Sequence, residues 1–232
     1  MLKHYILLLM LMSSGPASAF SDTQPPELIA QVTTETPQRS PQTEALIHNK
    51  LLNDPLSPRV GAEYPDLTVV SFTNYDCVEC KALDSNLEKL LKAWPRIAVT
   101  YKLISWGPEA STAVTRRALS VWIEKPEKFH AFHHALMSYR GMADDVRIYS
   151  AYRAAGMKLS MYRPDTQHII DVNKEFLKVM HLPGTPATII GEKVLLGPAS
   201  YDALEQAVKT ALAEAKNEKH LAVLKKKKIR TQ

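Results

Sequence analysis

Cys77 and Cys80 are the two cysteines of the chain, and they stand as Cys77-Val78-Glu79-Cys80. Thiols at this spacing can close and reopen a disulfide, so a CxxC is the signature of a thiol–disulfide redox centre. Two other readings compete with it. A purely structural disulfide across so short a loop gains only about 2 kcal/mol from chain entropy, and local strain erodes that. A zinc site needs four ligands, and no second CxxC is present to complete one. Redox chemistry is the expected role.

The two cysteines are expected to differ in task. The apolar run Leu67–Thr73 precedes them and a helical pattern opens at Cys77. Unpaired N–H groups and the positive dipole end of that helix stabilise a thiolate at Cys77, and it is the thiolate that attacks a disulfide. Cys77 is thus the expected nucleophile, with Cys80 one turn deeper as the resolving thiol. Asp76 and Glu79 set carboxylates beside Cys77, and negative neighbours disfavour a thiolate. Val78 is the other residue between the cysteines, so it belongs with Asp76 and Glu79 among the positions that tune the pair. His130, His133 and His134 form a second chemical candidate. His133 shares a stripe with Phe129, Phe132 and Leu136, which gives it a buried structural role. His130 and His134 supply only half a metal site, so no metal is assigned.

The elements that must position the pair follow from periodicity. Leu67–Thr73 and Ile97–Ile104 read as buried strands. Between them Leu83, Leu87, Leu90, Leu91 and Trp94 make one apolar helical stripe, with Lys81, Asp84, Ser85, Glu88 and Lys92 on the other face and Pro95 as the stop. Strand, helix and strand of these lengths predict a βαβ unit with parallel strands. From 107 to about 180 the pattern is helical, with stripes led by Val114, Phe129, Ile148 and Ile169, the last continuing through Val172, Phe176 and Val179. Ala187–Ile190 and Lys193–Leu196 flank Gly191-Glu192, a hairpin signal. A last helix is expected over Tyr201–Ala215.

The ends carry different information. Residues 1–19 show a short polar start, an apolar core over Tyr5–Met12 and Ala17-Ser18-Ala19 before Phe20, the pattern of a cleaved export signal. The apolar run is too short for a membrane span. An exported chain meets an oxidising compartment, where a lone reversible pair is chemistry rather than scaffold. Residues 20–60 hold six prolines among Thr, Gln and Ser, and read as an extension or linker with a short helix near Thr43–Leu52. The formal charge of +5 is concentrated in Lys225–Lys228 and Arg230. Residues 216–232 are therefore read as a solvated basic tail, and the terminal placement without interleaved aromatics speaks against nucleic-acid binding.

The whole arrangement resembles the DsbA-like branch of the thioredoxin superfamily, over about residues 51–215. The resemblance is carried by Asn53 to Gly61 leading into the first strand, Ser71 to Lys81 around the CxxC, Phe132 to Met137 in the insertion, and Gly184-Thr185-Pro186 through Gly191. It is nearest to periplasmic members with an N-terminal extension, the suppressor-of-copper-sensitivity type among them. It implies an α/β thioredoxin fold with an inserted helical subdomain (about 107–180) in a domain spanning 61–215. Pro186 takes the place of the family's cis-proline, and Thr185 would offer its backbone to an extended substrate.

The implied function is a periplasmic thiol:disulfide oxidoreductase acting on unfolded or partly folded secreted proteins. It would need no cofactor beyond its own Cys77–Cys80 disulfide, and a membrane redox partner would restore it. Alternatives are a disulfide isomerase or reductase kept reduced by that partner, and a Cu(I)-binding or chaperone-like protein, since soft thiolates suit Cu(I). Two positions depart from the family. Ser71 stands where an acid commonly serves the buried cysteine, and Asn74 where an aspartate is frequent. With Asp76 and Glu79, these departures predict a weaker oxidant than family members with a neutral or cationic residue inside the CxxC. The prolines of 20–60 forbid a long helix there, so a monomer or weak dimer is expected.

Overall fold

The computed structural model describes residues 40–107, 109–142 and 144–230. The elements run α1 (Pro41–Asn53), β1 (Arg59–Gly61), β2 (Leu67–Thr73), α2 (Val78–Ala93), β3 (Ile97–Leu103), α3 (Glu109–Glu124), α4 (Pro126–Met137), α5 (Asp145–Ala154), α6 (Thr166–Val179), β4 (Ala187–Ile190), β5 (Lys193–Leu196) and α7 (Tyr201–Arg230). The strands form one sheet in the order β1-β3-β2-β4-β5. β2 and β3 are parallel, in register from Leu67 against Ile97 to Thr73 against Leu103, and α2 is their crossover. β4 lies antiparallel on the other side of β2, and the β4–β5 hairpin turns at Gly191-Glu192 as its sequence requires. This is the thioredoxin fold with helices α3–α6 inserted between β3 and β4, as expected.

Alternation along β2 sends residues to two different layers. Val69 joins Leu83, Leu87, Tyr101, Phe129, Phe132 and Val208 in the larger core, on the face covered by α2, α7 and the inserted helices. Val70 and Phe72 join Leu51, Ile104, Leu177 and Ala187 in a smaller cluster on the opposite face. No helix among the described residues is long and apolar enough to cross a membrane.

Four expectations are corrected. Residues 1–39 lie outside the described residues, and the boundary at 61 falls inside the domain. β1 pairs with β3 at the sheet edge, and Leu51 of α1 is buried against β2. The described prolines of that stretch start and join short elements, with Pro55 and Pro58 between α1 and β1 and Pro41 in the first turn of α1, where Ser40 Oγ accepts from Thr43 N–H at 3.2 Å. Gly61 closes β1 at φ +111°, where a Cβ would lie 2.5 Å from the Ile97 carbonyl oxygen. The expected basic tail is the continuation of α7 to Arg230, because no Gly or Pro interrupts a run rich in Ala, Leu, Glu and Lys. On α6 the buried stripe is Ile169, Ile170, Asn173 and Leu177, whereas Val172, Phe176 and Val179 are only half covered. On α2, Asp84 and Glu88 are buried rather than solvated (3% and 8% exposed). The helix is wedged between the sheet and α4, and polar side chains on its flank meet the histidines of α4 instead of water.

Lys102 ties the N-terminal segment to the sheet. Its ammonium is fully buried and donates to the Lys50 carbonyl (3.0 Å), Ser57 Oγ (2.8 Å) and Asp54 Oδ2 (3.3 Å). Burial pushes its pKa down, and Asp54 pulls the other way. Removing one partner of such a pair strands the other. Asp54→Ala is expected to cost about 3 kcal/mol, and Lys102→Met clearly less, since a thioether of similar length refills the space without a charge. Urea midpoints of the two variants check this; a larger loss for Lys102→Met would contradict it.

Candidate active site

The site begins with a turn that hands β2 over to α2. Asn74 is buried, its Oδ1 accepts from the Asp76 N–H at 2.9 Å, and its carbonyl accepts from the Cys77 N–H at 3.2 Å. The asparagine therefore shapes the turn that places Cys77 at the N-cap of α2. There Cys77 adopts extended backbone angles (φ −84°, ψ 116°), and its sulfur accepts from the Cys80 N–H at 3.1 Å. A thiol performs the service usually given by Ser or Asp at this position, accepting from an N–H that the first helical turn leaves unpaired.

Cys77 is half-buried and Cys80 buried, and both are free thiols. Across from them the Thr185-Pro186 peptide bond is cis, and the Thr185 carbonyl oxygen lies 3.7 Å from Cys77 Sγ. Loops more than a hundred residues apart in sequence thus meet at one sulfur atom. Thr185 is half-buried and Pro186 buried at the head of β4.

The electrostatics separate the two thiols. The Cys77 pKa is pulled down to about 6, chiefly by the hydrogen bond with the Cys80 thiol. Burial opposes this, while the Cys80 backbone N–H and Thr185 add to it. Glu79 pushes back as expected, but it is the weakest of these influences. Cys80 moves the other way, raised strongly by its pairing with Cys77 and then by burial. The arrangement presents a thiolate outside and a thiol inside.

The remaining expected positions fall around this pair. Val78 is 73% exposed, an apolar side chain next in sequence to Cys77. Asp76 Oδ2 accepts from Ser111 Oγ on α3, which ties that carboxylate to the inserted subdomain. Ser71 is buried in the middle of β2 and pairs across the sheet with Thr188, yet its Oγ has no hydrogen-bond partner among the described residues. Ser71→Ala is therefore expected to change stability by less than about 1 kcal/mol, since no bond is lost and an unsatisfied hydroxyl is removed. It should also leave the exchange rate unaltered; a clear rate loss at unchanged stability would give Ser71 a proton-transfer role.

Two features escape a reading of the sequence. Lys81 stands beside the CxxC, and its ammonium donates to the Gly141 carbonyl and interacts electrostatically with Asp76 and both cysteines. Its position next to Cys80 was a visible signal, but its reach to the inserted subdomain was not. The Tyr75 hydroxyl meets His133 Nδ1 at 2.9 Å, and His133 Nε2 meets Asp84 Oδ1 at 3.0 Å, a buried chain that starts two residues before Cys77. The buried placement expected for His133 holds; its partners come from the β2–α2 turn and from α2 and leave no trace in α4.

A CxxC at a helix N-terminus, facing a cis-proline loop beside a βαβ unit, is the redox site of a thioredoxin fold. The Thioredoxin family model matches residues 53–210. A periplasmic thioredoxin-like protein from Salmonella enterica serovar Typhimurium is 39% identical, with 76% of this chain and 99% of that one covered at a TM-score of 0.71. The catalytic domain of Proteus mirabilis ScsC is 38% identical, with 74% and 98% covered at a TM-score of 0.69. The Bacillus subtilis disulfide bond formation protein D is 20% identical over 170 residues, 67% of this chain and 77% of that protein. The chain belongs to the thioredoxin family, within its DsbA-like branch, and is a thiol:disulfide oxidoreductase.

Proposed function

We propose that the protein exchanges disulfides with secreted proteins in the periplasm, with Cys77 as nucleophile and Cys80 as resolving thiol. The observation that carries this is the seat of Cys77 Sγ between the Cys80 N–H and the Thr185 carbonyl. In the oxidising direction a substrate thiolate attacks Cys77 of the Cys77–Cys80 disulfide. The S–S bond breaks, Cys80 leaves as a thiolate and takes up a proton, and a mixed disulfide forms on Cys77. A second substrate thiolate then attacks its own sulfur in that bond and expels Cys77 as the stabilised thiolate. The substrate loses two electrons and the CxxC gains them; reduction is the same path reversed. Thr185 lines up an extended substrate through its backbone groups, with Pro186 behind it. No group beyond the two cysteines is needed.

Export rests on the signal pattern of residues 1–19 together with the periplasmic description of the Salmonella relative. A membrane redox partner resets the pair after each turnover. α1 buries Leu51 in its own domain, which favours a monomer or weak dimer. The threonine before Pro186 favours the isomerase or reductase reading as the second possibility, because isomerases of this superfamily commonly carry it. Oxidised protein mixed with a reduced, unfolded two-cysteine substrate tests the proposal: the substrate disulfide should form as the CxxC is reduced, one for one. Absence of electron transfer in either direction would sink it. The redox state of the pair in cells then decides between the two directions, mostly oxidised for an oxidase and mostly reduced for an isomerase or reductase.

A further inference from the structure

The α2–α4 interface holds a cluster of ionisable side chains that disulfide exchange does not use. Asp84 and Glu88 stand one turn apart on α2, and His130, His133 and His134 face them from α4. One donor atom each from Asp84, Glu88 and His134 lie within 4.8 Å of one another. We propose that these three residues bind a divalent transition cation, with Zn2+ the ion their donor set suits best.

The chemistry of the donors and their setting support this. Two carboxylates and an imidazole are borderline-hard ligands that suit Zn2+, with bonds of about 2.0–2.2 Å. Each carboxylate is already oriented through one oxygen. Asp84 Oδ1 meets His133 Nε2 at 3.0 Å and accepts from the Tyr101 hydroxyl at 3.2 Å. Glu88 Oε1 is paired with His130 Nε2 at 2.7 Å. In both cases the second oxygen remains to be offered to an ion, and hydrogen bonds of this kind are what aim carboxylate ligands at a metal. The Tyr75 hydroxyl meets His133 Nδ1 at 2.9 Å and so fixes the ring whose Nε2 reaches Asp84.

Charge argues the same way, since two carboxylates this deeply covered are compensated by a divalent cation more completely than by imidazoles alone. The donors must still close in by roughly an ångström to reach bonding distance. That movement falls to His134, the exposed member, whose Nε2 meets Ser138 Oγ at a long 3.4 Å. Three protein ligands leave one position for water, so the site is an exchangeable one rather than a closed structural centre.

The test uses the full-length protein with its CxxC oxidised, so that no thiolate competes for metal. Titration with Zn2+ alone, followed by calorimetry, should show one saturable equivalent. Glu88→Gln and His134→Ala should each weaken binding at least about tenfold, with unchanged far-ultraviolet circular dichroism and unchanged disulfide exchange. Co2+ in place of Zn2+ should give visible ligand-field bands without a thiolate charge-transfer band, and lose them in both variants. Absence of one-to-one binding by the oxidised protein, or affinity undiminished in both variants, overturns the proposal.

Discussion

Cys80→Ser is expected to accumulate mixed disulfides with substrate, while Cys77→Ser traps none and loses exchange activity down to the uncatalysed background. Cys77 caps α2 with its sulfur half-exposed and its pKa held near 6, whereas Cys80 is buried with its pKa pushed up. Only the first can present a thiolate to an incoming disulfide at neutral pH. When Cys77 of the reduced protein has attacked a substrate disulfide, release of the reduced substrate requires Cys80, and a serine oxygen does not displace a thiol there. Non-reducing electrophoresis followed by mass mapping of the trapped species checks both halves. Equal trapping by the two variants would remove the assignment of roles.

A second large effect is expected from pH. The thiolate of Cys77 is populated above about pH 6 and declines below it, so attack by the reduced protein should fall about tenfold for each pH unit lower still. The sign for stability follows the same titration. A thiol whose folded pKa lies below its unfolded value stabilises the reduced protein fully above the unfolded value. That stabilisation is lost as pH falls through about 6. Glu79 is the group that opposes the thiolate, so Glu79→His should lower the Cys77 pKa further, by about one unit or less. The reduction potential should rise with it, by up to roughly 30 mV, because a more stable thiolate stabilises the dithiol form. Thiolate absorbance against pH, and equilibration with glutathione, measure the two shifts; movement in opposite senses would contradict the account.

The parallel βαβ unit and the hairpin were legible because each rests on local periodicity or a single turn signal. Leu67–Thr73 and Ala187–Ile190 appear as strands with the bounds their apolar runs give. The redox pair was legible because cysteine is rare in this chain and its spacing is chemical rather than structural. Lost to the sequence were features decided by packing between distant segments. Asp84 and Glu88 follow a helical period that placed them outward, and only α4 arriving on that flank buries them. α1 has a weakly amphipathic sequence, and its attachment depends on Lys102, a charged residue in a central strand whose partners lie about fifty positions earlier. The depressed pKa of Cys77 was masked in the sequence by two adjacent acids. One of them, Asp76, is bonded to Ser111 on α3, and the other, Glu79, is outweighed by hydrogen bonds within the site.

Of the two thiols, Cys77 alone is expected to present a reactive thiolate, poised at the N-terminus of α2 for disulfide exchange. Brief alkylation of the fully reduced, native protein with iodoacetamide near pH 7, read by peptide mass mapping, tests it directly. Modification of Cys77 is expected, with Cys80 left free until the protein is unfolded. Modification of Cys80 first, or of both cysteines at equal rates, would contradict it.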